Sequence, residues 1–202
     1  MSTLVFLLEE ESAKNMLQGI LPRLLPTEVH AQYILCNGKQ DLERQLVRKI
    51  RCWREPDARF IILRDKDSGD CGVIKRRLLD LVRESGKADA CLVRLACHEL
   101  ESFFLGDLAA VSRALHMPDL AKKQDKRTFR TPDALANAAE ELKKITQGKY
   151  AKLAGSRAIG PHLTLDGSNR SHSFGVLLDA ILRQADSLRQ HSIVPEEYTQ
   201  HA

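Results

Sequence analysis

Three carboxylates follow a short apolar run in the middle of the chain. The stretch FIILRDKDSGDC, residues 60–71, ends its apolar part at Asp65 and then carries Asp67 and Asp70. In extended backbone, residues two apart point to the same side, so Asp65 and Asp67 are expected to converge. Clustered carboxylates repel one another unless a cation compensates them, and oxygen ligands suit Mg²⁺ or Mn²⁺. Taken alone, Asp65 and Asp67 fit cap and turn positions as well as a divalent-metal site, and Glu9 at the end of a neighbouring strand favours the metal site. Asp70 is predicted to be the N-cap of the following helix.

More acids follow two other apolar runs. The first run ends at Glu9, and a later run leads into the sequence HELES, which holds Glu99 and Glu101. Ligands of a parallel sheet bind outside the carboxyl ends of its strands, where all these acids are expected. Glu9 is favoured over the adjacent Glu10, although strand alternation does not decide between them. Residues two positions apart on a helix point in roughly opposite directions, so only one of Glu99 and Glu101 can face the site. Glu101 is favoured and Glu99 is second.

The first half of the chain alternates between two kinds of apolar pattern. Short apolar runs predict strands at residues 3–9, 29–36, 58–65 and 88–98. Helical spacing of apolar residues predicts helices at 12–26, 39–53, 73–85 and 99–116. Nearly continuous apolar strand centres are typical of a parallel sheet that is covered on both faces. We therefore expect residues 1–116 to form an α/β domain with a mainly parallel sheet of about four strands.

The remainder, residues 117–202, is predicted to be a helix-rich extension packed on that domain. A polar loop between two of its helices mixes cations, hydroxyls and glycines, which is typical of a phosphate-binding surface. The alternative is a plain polar loop in which the sequence SHS, residues 171–173, caps the final helix. Asp107, just before this part, is predicted to be a surface residue. The candidate phosphate or nucleic-acid contacts are Arg64, Lys66, Lys152, Arg157, Asn169 and Arg170.

Composition sets broad limits on the class of protein. The chain has 202 residues, of which 43% are hydrophobic and 29% charged, and this suits a folded domain. Its net charge of +4 permits a nucleic-acid partner without requiring one. No apolar run is as long as a membrane span and no secretory signal is evident, so a cytoplasmic location is expected. Five cysteines without CxxC spacing predict buried reduced thiols rather than a zinc site.

A glutamate that closes the first strand and an Asp-x-Asp that closes a later one resemble the signature of the Toprim domain. This is the catalytic module of topoisomerases, bacterial primases and overcoming-lysogenization-defect (OLD) nucleases. The stretches LVFLLEEESAKNML, FIILRDKDSGDC, VRLACHELESFFLGD and NRSHSF resemble a small Toprim-like family of unknown function, often found beside AAA-type ATPases in bacterial defence loci. Ordinary Toprim domains have glycine after the first-strand glutamate, whereas Glu9 is followed here by Glu10.

The resemblance implies a Toprim-like fold and a metal-dependent nuclease. Asp65 and Asp67 would hold Mg²⁺ or Mn²⁺, and Glu9 would act as a general acid or base or as a further ligand. The sequence HELESFFLGD resembles the extra acidic motif of nuclease-type relatives, which adds Glu101 to the catalytic set and Glu99 to the metal ligands. Nucleic acid would be the substrate, and an AAA-type ATPase a possible partner in a defence system.

Two other functions stay open at this point. One is a non-catalytic Toprim-like module that binds nucleic acid or protein, although a pure scaffold has no reason to keep mutually repelling carboxylates. The other is a small nucleotide phosphohydrolase, which would use the same acids. A topoisomerase is not expected, because Tyr33 lies in a strand, and Tyr150 and Tyr198 are expected outside the core.

Overall fold

A four-stranded parallel sheet lies at the centre of the protein, in a computed structural model that describes residues 2–193. The strands lie in the order β2-β1-β3-β4, and every neighbouring pair is parallel. This confirms the predicted α/β fold. The strands are β1 (Ser2–Leu8), β2 (Val29–Leu35), β3 (Arg59–Asp65) and β4 (Cys91–Ala96).

Two helices cover one face of the sheet, namely α2 (Lys39–Arg51) and α3 (Cys71–Glu84). Leu42, Leu46 and Leu78 are fully buried in a cluster with the strand residues that point to this face. The spacing of four between the two α2 leucines places both on one side of that helix. The bounds of α2 and α3 match the predicted ranges, 39–53 and 73–85, to within about two residues at each end.

The opposite face is covered by α1 (Glu11–Ile20) and by the C-terminal helix α9 (His172–Ile193). Phe174, Leu177 and Ile181 of α9 are fully buried in one apolar cluster with β1 and β3. The part of the chain after residue 117 therefore shares its core with the strands of the first half. The start of α9 also fits the capping alternative, because the backbone N–H of Phe174 donates to Ser171 Oγ at 3.2 Å.

One continuous helix at residues 99–116 was expected, and the structure has two helices there instead. Asp107 separates them, because its carboxylate accepts hydrogen bonds from Ala110 N at 2.9 Å and Thr164 N at 2.8 Å. The prediction of a surface position for Asp107 is therefore wrong, since the side chain is buried as a helix cap. The helices in this part are α4 (Glu101–Leu105), α5 (Leu108–Ala114), α6 (Arg127–Arg130), α7 (Ala138–Ile145) and α8 (Lys152–Ile159).

Helix α8 lies within the segment that was expected to be a loop. It packs on α1, and so does the short turn Gly160–His162 that follows it. That turn approaches α1 closely because Gly19 has no side chain: a Cβ there would lie 2.5 Å from the backbone nitrogen of Pro161. Asn15 Nδ2, also on α1, donates to the carbonyl oxygen of Leu153 at 3.2 Å. These contacts bring the first residue of α8, Lys152, next to the start of α1.

The cysteines occupy different environments. Cys36 and Cys91 are buried, as predicted, but Cys52 and Cys71 are exposed, so the prediction of burial is wrong for those two. All five are free thiols. Separately, the helices within residues 2–193 include none that is long and apolar enough to cross a membrane.

Candidate active site

The carboxyl ends of β1 and β3 bring Glu9 and Asp65 into contact. The two strands are adjacent and parallel, with Leu8 opposite Leu63, so the residues that follow them meet at one edge. The backbone N–H of Asp65 donates to Glu9 Oε2 at 3.2 Å. The carbonyl oxygen of Glu9 accepts a hydrogen bond from Gly38 N at 3.0 Å, which fixes this strand end against the segment leading into α2.

Asp65 lies among several other acids. Its carboxylate accepts a hydrogen bond from the backbone of Leu100, directly before α4. Burial raises the pKa of Asp65 well above its ordinary value of 3.8, and the negative charges of three neighbours raise it further. These neighbours are Glu10, Glu101 and Glu9, in order of effect. We call Glu9, Glu10, Asp65 and Glu101 the acid cluster.

Glu101 is the most deeply buried member of the acid cluster, with 1% of its surface exposed. Its Oε1 accepts a hydrogen bond from the hydroxyl of Tyr150 at 2.8 Å, whereas its Oε2 is buried without a partner among the described residues. Burial raises the pKa of Glu101, against the lowering effects of the Tyr150 bond and the charge of Lys152. A buried carboxylate oxygen without a partner is costly, so Oε2 is available to a cation or a donor.

Lys152 supplies positive charge inside the acid cluster. Its ammonium Nζ lies 2.6 Å from Glu10 Oε1, and its side chain is about half exposed. Burial acts to lower the pKa of Lys152, but the hydrogen bond to Glu10 and the charges of Glu10, Glu101 and Asp65 outweigh it and raise the pKa. The ammonium therefore stays charged and partly compensates the carboxylates.

Glu9 and Glu10, between which the sequence did not decide, both belong to the acid cluster. Glu9 contacts Asp65, and Glu10 pairs with Lys152. Burial raises the pKa of Glu9; the hydrogen bond from Asp65 N lowers it, and the charge of Asp67 raises it again. The two adjacent acids thus contact different partners.

Asp67 is at the same edge, but its backbone is not extended. The expected convergence with Asp65 assumed an extended chain, and that assumption is wrong because Asp67 has a left-handed backbone (φ 52°). Its carboxylate pairs with Lys39 Nζ at 2.8 Å. Asp67 also acts on the pKa of Glu9, so it lies on the Glu9 side of the acid cluster.

Two further acids have structural partners. Glu99 Oε2 accepts a hydrogen bond from the backbone N–H of Ala139 at 2.8 Å, which ties the segment before α4 to the start of α7. Asp70 accepts one from Val73 N at 2.8 Å, and this confirms the prediction that it caps α3. Glu99 still affects the acid cluster electrostatically, since its negative charge contributes to the raised pKa of Glu101.

The predicted phosphate contacts fall into different places. Lys152 lies in the acid cluster, and Lys66 follows Asp65 directly. Arg64 is buried and pairs with Glu43 Oε1 at 2.5 Å, under the α2–α3 layer. Arg157 is exposed, further along α8.

Asn169 and Arg170 make contacts within the C-terminal part of the chain. Asn169 Nδ2 donates to the carbonyl oxygen of Phe103 at 2.9 Å. Arg170 donates to the carbonyl oxygen of Gln124 at 2.9 Å and pairs with Asp125 Oδ1 at 2.6 Å. These contacts hold the segment before α9 in place, and the structure does not bring either side chain into the acid cluster.

Sequence reasoning missed three residues of this site. Lys39 follows Gly38 at the start of α2, and that position at the carboxyl edge was the available signal. Tyr150 was expected outside the core and is instead buried against Glu101; Tyr198 lies outside the described residues. The third is His98, whose backbone and ring both contact Asp67.

The acid cluster has the donor chemistry for a hard divalent cation, but its side chains are not drawn together around one point. Among residues 2–193, no group of three or more His, Cys, Asp or Glu side chains is arranged to hold a metal ion. The unpartnered Oε2 of Glu101 and the repelling carboxylates nevertheless fit Mg²⁺ or Mn²⁺. A bound cation would have to draw the carboxylates closer.

Comparison with known proteins gives one match. A family model described as a domain of unknown function (DUF4276) matches residues 8–182, which is most of the chain. Neither the curated proteins nor the solved structures include a match. The family description does not mention Toprim domains or OLD nucleases, so that resemblance stays a prediction. The chain belongs to the DUF4276 domain family.

Proposed function

We propose that this protein is a divalent-metal-dependent phosphodiesterase that cleaves nucleic acid at the acid cluster. One observation carries the proposal. The end of β3 and the segments that follow β1 and β4 each bring a carboxylate to the same edge of the sheet, and one oxygen of Glu101 is buried there without a partner among the described residues. Open parallel sheets bind their ligands at this edge.

The acid cluster costs the fold stability, which argues against a purely structural role. Asp65, Glu9 and Glu101 all have raised pKa values, because burial and mutual repulsion disfavour their charged forms. Buried ion clusters can often be replaced by apolar residues without loss of stability. Lys152 compensates only part of the charge, since its one ammonium interacts with three carboxylates, those of Glu10, Glu101 and Asp65. A divalent cation would supply the remainder.

The residues around the cluster suit a phosphodiester substrate. When bound, a divalent cation would neutralise phosphate charge and activate water. Glu9, Asp65 and Glu101 would hold it, with Asp67 at the rim. Two ammonium groups flank the carboxylates, Lys152 on one side and Lys39 on the other, and each can pair with a phosphate oxygen.

A polyanionic substrate is also favoured by cations beyond the cluster. Helix α3 begins at the carboxyl edge, and Lys75, Arg76 and Arg77 in its first two turns are exposed. Arg77 makes only a long pair with Glu43, at 3.5 Å, so its guanidinium can exchange that partner for phosphate. A polynucleotide offers several phosphates in a row, so that one can lie at the acid cluster while others pair with these cations. We therefore place nucleic acid ahead of a free nucleotide as the substrate.

Two alternatives make different use of the same surface. A small nucleotide phosphohydrolase would need the acid cluster but not the cations of α3. A non-catalytic module would need the cations but not the carboxylates. We include in the proposal a role as the effector beside an AAA-type ATPase. This part of the proposal rests on the resemblance alone.

Side-by-side hydrolysis assays test the proposal. Labelled DNA, labelled RNA and nucleoside triphosphates are each incubated with Mg²⁺, Mn²⁺ or a chelator, using wild type, Asp65→Asn and the exposed control Glu140→Gln. We expect metal-dependent cleavage of DNA or RNA that is lost in Asp65→Asn and kept in Glu140→Gln. Cleavage of nucleotides alone would favour the phosphohydrolase. Binding of nucleic acid with unchanged strength in Asp65→Asn and no hydrolysis would favour the binding module.

A further inference from the structure

Two loops at the carboxyl edge are joined by a pair of reciprocal hydrogen bonds between Asp67 and His98. The backbone N–H of Asp67 donates to the carbonyl oxygen of His98 at 2.7 Å. In the other direction, His98 Nδ1 lies 3.0 Å from the carbonyl oxygen of Asp67. We call this pair of contacts the Asp67–His98 clamp.

Both residues of the clamp have an uncommon backbone conformation. Asp67 has a φ of 52° and His98 a φ of 61°, in the left-handed region that residues other than glycine rarely adopt. Such conformations persist only when the surroundings fix them, and they concentrate at functional sites. The clamp continues the β3–β4 pairing past its last regular bond, from Lys66 N to Ala96 O.

The chemistry of the ring contact is defined by its partner. A backbone carbonyl can only accept a hydrogen bond, so His98 Nδ1 is the protonated nitrogen of the ring. The bond therefore fixes both the tautomer and the position of the Asp67 carbonyl. An asparagine has an amide nitrogen at the place of Nδ1 and tolerates the left-handed region, so it can replace this function of the ring.

We propose that His98 is a positioning residue for Asp67. By holding the backbone of Asp67 in the left-handed conformation, it directs the carboxylate to Lys39, with which it pairs at 2.8 Å, on the Glu9 side of the acid cluster. This leaves Asp67 at the rim of the acid cluster. The catalytic part of this inference rests on the proposed function. The geometric part, that His98 fixes the conformation of Asp67, is independent of the proposed function.

Three substitutions separate positioning from other roles. His98→Ala removes the ring contact, and His98→Asn retains a donor at the same place. His116→Ala is the matched control, because His116 is an exposed histidine with a φ of 52° that lies after α5. His116→Ala therefore places alanine in the same backbone conformation without removing a contact to Asp67.

Metal-dependent turnover and Mn²⁺ affinity are measured on these variants in the full chain. We expect His98→Ala to lower turnover or affinity about 10- to 100-fold, as is usual for residues in the outer shell of a metal site. His98→Asn should stay within about threefold of wild type, because the donor is restored. In an Asp67→Asn background, His98→Ala should add little further loss. Equal impairment of His98→Asn and His98→Ala would overturn the proposal, and so would an unimpaired His98→Ala.

Crystal structures of the variants test the geometric part without any activity. If wild type shows no metal-dependent hydrolysis, the proposed function fails, while the positioning role is still decided by the Asp67 conformation. We expect the Lys39–Asp67 pair and the positive φ of Asp67 to be lost in His98→Ala and kept in His98→Asn. An unchanged Asp67 in His98→Ala would show that His98 does not position it.

Discussion

The ammonium group of Lys152 lies 2.6 Å from a carboxylate oxygen of Glu10, and this contact joins the C-terminal half of the chain to the end of its first strand. The lysine reaches the acid cluster because α8 packs against α1. Its charge is the nearest compensation for carboxylates that burial and repulsion disfavour. A divalent cation held by Asp65 and Glu101 would therefore be repelled by Lys152, whose charge already compensates these two carboxylates in part.

We expect Lys152→Met to raise the affinity of the acid cluster for Mn²⁺ by about threefold to tenfold, because the repelling ammonium is removed. The same variant should bind nucleic acid more weakly, since a phosphate contact is lost. Isothermal titration calorimetry and fluorescence anisotropy measure the two effects. Lys149→Met is the control, since Lys149 is exposed and precedes the buried Tyr150. Lower Mn²⁺ affinity in Lys152→Met than in Lys149→Met would contradict the repulsion.

The raised pKa of Asp65 predicts a pH-dependent stability. Because the pKa is raised in the folded state, folding takes up a proton between the ordinary value of 3.8 and the higher folded value. The resulting loss of stability is absent below that window, grows as the pH rises through it, and is complete above it.

We expect Asp65→Asn to remove this loss in the metal-free protein. Its Tm should equal that of wild type near pH 4 and exceed it by about 2–4 °C near pH 8, which corresponds to about 1 kcal/mol. The amide oxygen can still accept the Leu100 hydrogen bond, so the fold should be kept. Glu140→Gln, on the exposed side of α7, should show no such divergence. A lower Tm for Asp65→Asn at every pH would show that Asp65 has a structural role instead.

The sheet was predictable from the sequence because its two central strands, β1 and β3, are nearly continuous apolar runs. Val5 and Phe60, for example, are buried in the sheet and packed under helices, which leaves no polar face to confuse the pattern. The break between α4 and α5 was not predictable. Asp107 caps α5 by accepting a hydrogen bond from Ala110 N, and its other oxygen accepts one from Thr164 N. A contact across so many residues has no local signal.

The candidate site was predictable in part. Glu9 and Asp65 were found because strand ends in a parallel sheet share an edge, and this rule depends only on topology. The direction of the Asp67 side chain was not predictable, because its left-handed backbone depends on His98, which is distant in sequence. Tyr150 was missed for a similar reason, since its burial depends on the packing of α8.

We expect Tyr150→Phe to destabilise the protein by about 1–3 kcal/mol, because the second oxygen of Glu101 then also lacks its donor. In a Glu101→Met background the same change should cost much less, since the carboxylate is gone. Urea denaturation measures both. The control is Tyr33→Phe, in which the half-buried ring still stacks on Phe6. A cost of Tyr150→Phe that is independent of Glu101 would contradict the assigned role of the hydroxyl.

The close approach of the Gly160–His162 turn to α1 can be tested at Gly19, with Gly175 as the control. A Cβ on Gly19 would lie 2.5 Å from the backbone of Pro161, so Gly19→Ala should destabilise by about 1–3 kcal/mol and weaken the Lys152–Glu10 contact. Gly175 on α9 has open space around the same position, so Gly175→Ala should stabilise by about 0.5–1 kcal/mol. Thermal denaturation compares them. Equal Tm changes for the two variants would contradict the close approach at Gly19.

Calorimetric titration of the protein with Mn²⁺ tests most directly whether the acid cluster is a divalent-cation site. Wild type should show saturable binding that Mg²⁺ competes away and that raises the Tm, since a ligand bound only by the folded state stabilises it. Asp65→Asn and Glu101→Gln should lose that binding while they remain folded. The absence of binding by wild type at millimolar Mn²⁺, or the same affinity in wild type and Asp65→Asn, would contradict the account.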